Sequence, residues 1–189
     1  MAIITAKELL DLVIMIAVIG FIFKDFFRKP ITSGYDPLKF FSKNLSWENF
    51  KFAVIVTAPA IVLHEAAHKI TAIAFGIPAV FHASYFGLMI GMFLKLMNFG
   101  FIFFIPGYVS FASSTASHLE IALIAFAGPL MNLLLFVLAT VAIKRNWLPK
   151  HNQLLHLTKQ INLFLFIFNM IPFPPFDGSH VFGNLLKLI

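Results

Sequence analysis

Apolar residues in this chain come in long runs separated by short polar stretches, a pattern that predicts membrane-spanning helices. Leu9 to Phe23 is apolar apart from Asp11 and Gly20, and Lys7 and Glu8 can extend its helix into the interface. No small-residue cleavage pattern follows, so residues 1–24 read as a retained first span. Residues 25–50 are the most polar part and predict an interfacial connection. Its turns fall at Pro30, Gly34 and Pro37, with Phe40 and Phe41 on the membrane surface. Asn44 or Ser46 can cap the next helix, which places Trp47 at headgroup depth. Residues 51–76 form the second predicted span, closed by Gly76-Ile77-Pro78.

Residues 79–112 break the pattern. The stretch from Tyr85 to Ile105 is long enough to span, yet it holds Lys95 and three glycines. The segments Phe101–Ile105 and Tyr108–Phe111 flank a turn at Pro106-Gly107 and look like strands. A membrane-associated β or re-entrant region, with a hairpin or short helix, is the expectation. Ser113-Ser114-Thr115 is a polar break. Residues 118–143 then predict the clearest span, with Glu120 as a favourable acid at its N-terminus and Lys144, Arg145 and Trp147 closing it. Leu148 to Lys159 reads as a polar connection, and residues 158–178 as the last span. The fold expected is a mostly α polytopic membrane protein: one domain, 1–189, with about four transmembrane helices and a small β or re-entrant region between the second and third.

Composition supports this. The chain has 189 residues, 60% hydrophobic and 12% charged, against roughly 25% charged in ordinary soluble domains. A soluble protein of this size has too little interior to hide so much apolar surface. There is no cysteine, which excludes disulfides and thiolate metal sites. The net charge of +6 is scattered over the loops, which fits anionic headgroups better than nucleic acid.

Chemistry concentrates inside the second span, at His64-Glu65-Ala66-Ala67-His68. On a helix, positions i and i+4 share a face, so both imidazoles can hold one zinc ion. Glu65 projects about 100° round the helix and is placed to take a proton from water activated by the metal. Ionisable groups in a span mark function by default. Pro59 frees a backbone carbonyl nearby. A catalytic zinc site needs a third protein ligand. Asp177, the only acid after Glu120, follows a proline-broken stretch and precedes Gly178. His180 reads as a polar or packing residue more than a site residue. His82, His118, His151 and His156 lie outside the motifs.

Three separate pieces carry a resemblance: His64 to His68, Gly128-Pro129-Leu130-Met131-Asn132, and Asn169-Met170-Ile171-Pro172-Phe173-Pro174-Pro175-Phe176-Asp177-Gly178. Together they resemble the site-2 protease family, the intramembrane zinc metalloproteases, in a minimal form without a PDZ or regulatory domain. The resemblance implies that His64, His68 and Asp177 bind one Zn2+ per chain and that Glu65 is the general base. It implies that Asn132 and Asn169 line the cleft and bind substrate or the oxyanion. The expected partners are transmembrane protein substrates and the lipid bilayer, in a multi-pass protein of the cell membrane. An edge strand of the β region could pair with unwound substrate. The rival functions are a membrane zinc transporter and a catalytically inactive membrane scaffold.

Overall fold

The computed structural model describes residues 4–26, 47–99, 104–112 and 116–188. The expected interfacial connection lies outside the described residues over 27–46, as do Ser113 to Thr115 and the first three residues of the Phe101–Ile105 segment.

Helix α1 (Ala6–Phe23) starts at a reciprocal cap. Thr5 Oγ1 accepts the Glu8 amide at 3.2 Å, and Glu8 Oε2 accepts the Thr5 amide at 2.8 Å. Helix α2 (Trp47–Ala74) has 28 residues. At 1.5 Å per residue it is about 42 Å long, enough to cross a hydrocarbon layer of about 30 Å. It ends in a Schellman turn, in which Ile77 N donates to Ala72 O and Gly76 N to Ile73 O, both at 2.9 Å.

Strand β1 (Ala79–Ala83) follows, then helix α3 (Tyr85–Leu96), then strand β2 (Gly107–Phe111). The strands pair antiparallel with Ala79 opposite Phe111 and Ala83 opposite Gly107. The expected strand over Tyr108–Phe111 is present, and of the expected hairpin or short helix it is the helix, α3, that is seen among the described residues. Phe104 and Ile105 are not strand, and β2 reaches back across α3 to β1. Lys95 explains why the middle segment stays short of a span. Its ammonium donates to Phe21 O, to Ile22 O at 3.2 Å and to Asp25 Oδ2 at 2.9 Å. It therefore fastens α3 to the carbonyl end of α1, where a cation is favoured.

Helix α4 (His118–Lys144) is capped by Ser117 and Glu120 in the same reciprocal way as α1. It is the central helix, packing against α2, α5 (Asn152–Asn169) and α6 (Asp177–Leu185). The last expected span is corrected at both ends. Helicity begins at Asn152, inside the polar stretch read as a connection, and stops at Asn169. Pro172, Pro174 and Pro175 cannot continue it, so Asp177 opens a separate short helix.

Among the described residues two helices, α2 and α4, are long and apolar enough to cross a membrane. The expected number was about four. Helices α1 and α5 have 18 residues each, and α1 carries Lys7, Glu8 and Asp11 while α5 opens on a polar turn. The outward faces of α2 and α4 are apolar, with Ile55, Ile70, Leu134 and Leu138 exposed. The interior is small-residue and aliphatic where α1, β1 and α3 meet around Met15, Ile19, Phe81, Ala83 and Leu88.

Candidate metal centre

His64 and His68 stand one turn apart on the buried face of α2. Their Nε2 atoms are 3.0 Å apart. Asp177, the first residue of α6, brings Oδ2 to 3.1 Å from His64 Nε2 and 3.4 Å from His68 Nε2. Gly178 permits this seat: a Cβ there would lie 2.5 Å from the carbonyl of Met170, at the end of α5. The α6 N-terminus also favours a carboxylate.

The other ring nitrogens decide what these three atoms can do. His64 Nδ1 lies 2.6 Å from Asn132 Oδ1, and His68 Nδ1 lies 2.7 Å from the carbonyl of Ile124. Both partners on α4 only accept, so both imidazoles carry their proton on Nδ1. Each Nε2 then presents a lone pair. Asp177 Oδ2, buried and without a hydrogen-bond partner, presents a third. Three acceptors facing one another without a donor repel, unless a cation sits among them. Their spacing suits zinc: tetrahedral bonds of 2.0–2.1 Å set ligand atoms about 3.3 Å apart. Among the described residues, His64, His68 and Asp177 are the one group of three such side chains able to hold a metal.

Gly128 makes the close approach of α4 possible. A Cβ there would collide with His68 Nε2 and lie 2.6 Å from His64 Nε2. The glycine before Pro129 is thus a steric requirement of the two histidines.

The cluster opens on a cavity of about 390 Å³. Glu65 borders it beside the ligands and makes no hydrogen bond to a described residue. Asn169 and His180 border it too, while Phe104, Phe111, Phe164 and Phe168 make much of its wall apolar. Strand β2 forms one side. The Phe81 amide donates to Glu8 Oε1 at 2.8 Å and the Ala83 amide to Asp11 Oδ2 at 3.3 Å, so both point away from β2. Their partners Val109 and Gly107 are then non-hydrogen-bonded pairs, whose own amides and carbonyls face outward along the cavity.

Asn132 departs from the expected substrate contact. It is fully buried and absent from the cavity wall. Its Oδ1 serves His64, and its Nδ2 donates to Ala60 O at 3.1 Å and to Asn162 Oδ1 at 2.9 Å, leaving no polar atom for substrate. Asn162 had no assigned role in the sequence. A signal was present: it lies seven residues before Asn169, two helical turns, in an apolar stretch. The Ile124 carbonyl, a backbone group, had none. His82 pairs with Ser110 on the surface, and His151 and His156 are exposed. His118 Nδ1 lies 2.9 Å from Asn184 Oδ1 and ties α4 to α6.

Two curated relatives match the chain, and both carry zinc-metalloprotease names. One, from Methanocaldococcus jannaschii, is 34% identical over 179 residues, covering 93% of this chain and 83% of its own length. The other, from Synechocystis sp., is 30% identical over 167 residues, covering 88% of this chain and 36% of its own length. The chain therefore spans little more than a third of that longer relative. No family model matches the chain, and no solved structure matches it.

Proposed function

The chain belongs to the zinc metalloprotease family of these relatives, with Zn2+ as its cofactor, and from that premise we propose that it is an intramembrane endopeptidase of the site-2 type. It hydrolyses peptide bonds within transmembrane segments of substrate proteins. The observation that carries the reading is the meeting of His64 and His68, deep in an apolar helix long enough to span, with the carboxylate of Asp177 from α6. His64 lies about 26 Å along α2 from Trp47 and about 15 Å from Ala74, well inside a hydrocarbon layer crossed by that helix. Helices α1 and α5 complete a multi-pass domain in this reading, because Glu8 and Asp11 of α1 are buried in protein and need no lipid contact, while Lys7 stands exposed in its first turn.

In this reading His64, His68 and Asp177 are the ligands. Zinc held there supplies a Lewis acid, which acidifies water and polarises a carbonyl. Glu65, whose carboxylate makes no hydrogen bond to a described residue, takes the proton of the attacking water and returns it to the leaving amine. The outward edge of β2 receives the substrate in extended form, which exposes a peptide bond that a helix would keep hydrogen-bonded. Asn169, on the cavity wall, is placed to donate to the substrate carbonyl. A transporter needs a succession of ligand sites along a path, and the described residues hold one cluster.

The test is to measure zinc per chain and cleavage of a reconstituted transmembrane substrate for the parent and for Glu65→Gln. Zinc retained in both and cleavage lost in the variant is the expected result. Cleavage by the variant would remove Glu65 as the base, and absence of zinc from the parent would remove the metal reading.

A further inference from the structure

A metal-binding imidazole must keep its lone pair on the atom that faces the ion, so the side that holds its proton is as decisive as the ligand itself. For His64 that side is Asn132, an amide with one end that accepts and another that donates. Were Asn132 turned over, its NH2 would face His64 Nδ1, the imidazole proton would move to Nε2, and the ligand would be lost. Something must therefore fix which way this amide points.

The structure assigns that task to Asn162, a positioning residue on α5 that acts on the metal site through Asn132. The links run in one direction. Asn162 Nδ2 donates to the backbone carbonyl of Thr158 at 2.8 Å, which only accepts. Asn162 Oδ1 is thereby left facing Asn132, and accepts from its Nδ2 at 2.9 Å. That nitrogen also donates to Ala60 O, so the carbonyl end of Asn132 faces His64 and accepts from Nδ1. Asn162 and Asn132 are both fully buried, so water does not offer an alternative partner to either. Asn132 is thus held by two acceptors, the Ala60 carbonyl and Asn162 Oδ1, and the orientation of the second starts at the main-chain carbonyl of Thr158 and is passed on to the Nε2 lone pair. His68, held by the Ile124 carbonyl, needs no such relay because a backbone carbonyl cannot turn over.

This inference rests on His64 being a zinc ligand, and the experiment separates the two. Zinc affinity is measured by chelator competition on the full chain in detergent micelles, for the parent, Asn162→Leu, Asn162→Ser and Thr158→Val. The proton position on His64 is read by 15N NMR of labelled histidine. Asn162→Leu should weaken zinc binding about tenfold, the lower end of what residues behind metal ligands contribute. It should also give the zinc-free protein a mixed Nδ1-H and Nε2-H population at His64, with His68 unchanged. Thr158→Val keeps the carbonyl that starts the relay and should match the parent. Asn162→Ser is small enough to fit, and its short hydroxyl cannot reach both partners; it decides the matter if the leucine variant does not fold. Parent-like zinc affinity and a pure Nδ1-H state at His64 in a folded Asn162 variant would overturn the relay while leaving the metal site standing. A parent that binds no zinc would overturn the metal reading itself.

Discussion

Two buried polar clusters join α2 to different neighbours, one to α1 and one to α4, and they are built on opposite rules. On the α1 side, Glu8 accepts from Lys69, from the Phe81 amide and from the Thr5 amide, and Asp11 accepts from Tyr85 and the Ala83 amide. Every acceptor there meets a donor. On the α4 side, three acceptors converge and their neighbours supply no donor. Charged and polar residues in apolar helices look alike in a sequence. What separates scaffold from site is whether the protein satisfies them by itself. The first cluster is complete and holds β1 against α1. The second is complete only with a cation.

The comparison can be broken most severely at Glu65. Glu65→Gln should lower cleavage by about 10²–10⁴, the usual contribution of a general base, with zinc content unchanged. Next is the α1 cluster. Glu8→Ala leaves the Lys69 charge and the Phe81 amide without their partner, and should cost about 3–5 kcal/mol of stability in reversible denaturation. Replacing the pair together, Glu8→Leu with Lys69→Met, should recover most of that loss. Both outcomes should leave zinc affinity per folded chain as in the parent. A large loss of zinc affinity in the double variant would show that the two clusters are not independent.

Smaller effects probe the approach of α4 and β2. Gly128→Ala places a methyl against both Nε2 atoms and should weaken zinc binding at least about tenfold by chelator competition, since ligand geometry is displaced. Unchanged affinity would mean that α4 has room to retreat. Val109→Pro removes one outward amide of β2 at a position where the edge tolerates proline. It should lower kcat/KM about three- to tenfold, the worth of one backbone hydrogen bond, without changing zinc content. No loss would argue against the substrate adding to that edge.

The parts legible in the sequence were those governed by one local period. The i, i+4 spacing of His64 and His68, the uninterrupted apolar runs of α2 and α4, and the acid at the start of α4 need no knowledge of the rest of the chain. What was illegible depends on partners remote in sequence. β2 pairs with β1 across a helix, because the carboxylates of α1 and the ammonium of Lys95 fasten the intervening segment. Helix α5 starts early because its polar first turns need not be buried, and a polarity pattern alone reads them as a connection. Asn132 was expected to line the cleft on the strength of the family resemblance, and a motif does not say which way its asparagine points. Its three contacts, on α2 and α5, decide that.

The central claim is that His64, His68 and Asp177 need a cation between them. X-ray absorption at the zinc edge, on the purified full chain, addresses it most directly. One zinc per chain is expected, with two imidazole nitrogens at about 2.0–2.1 Å and a carboxylate oxygen at about 2.0–2.2 Å. The imidazole signal should be halved in His68→Ala. Stoichiometric zinc with an unchanged two-imidazole shell in that variant, or a parent that binds no zinc, would contradict the account.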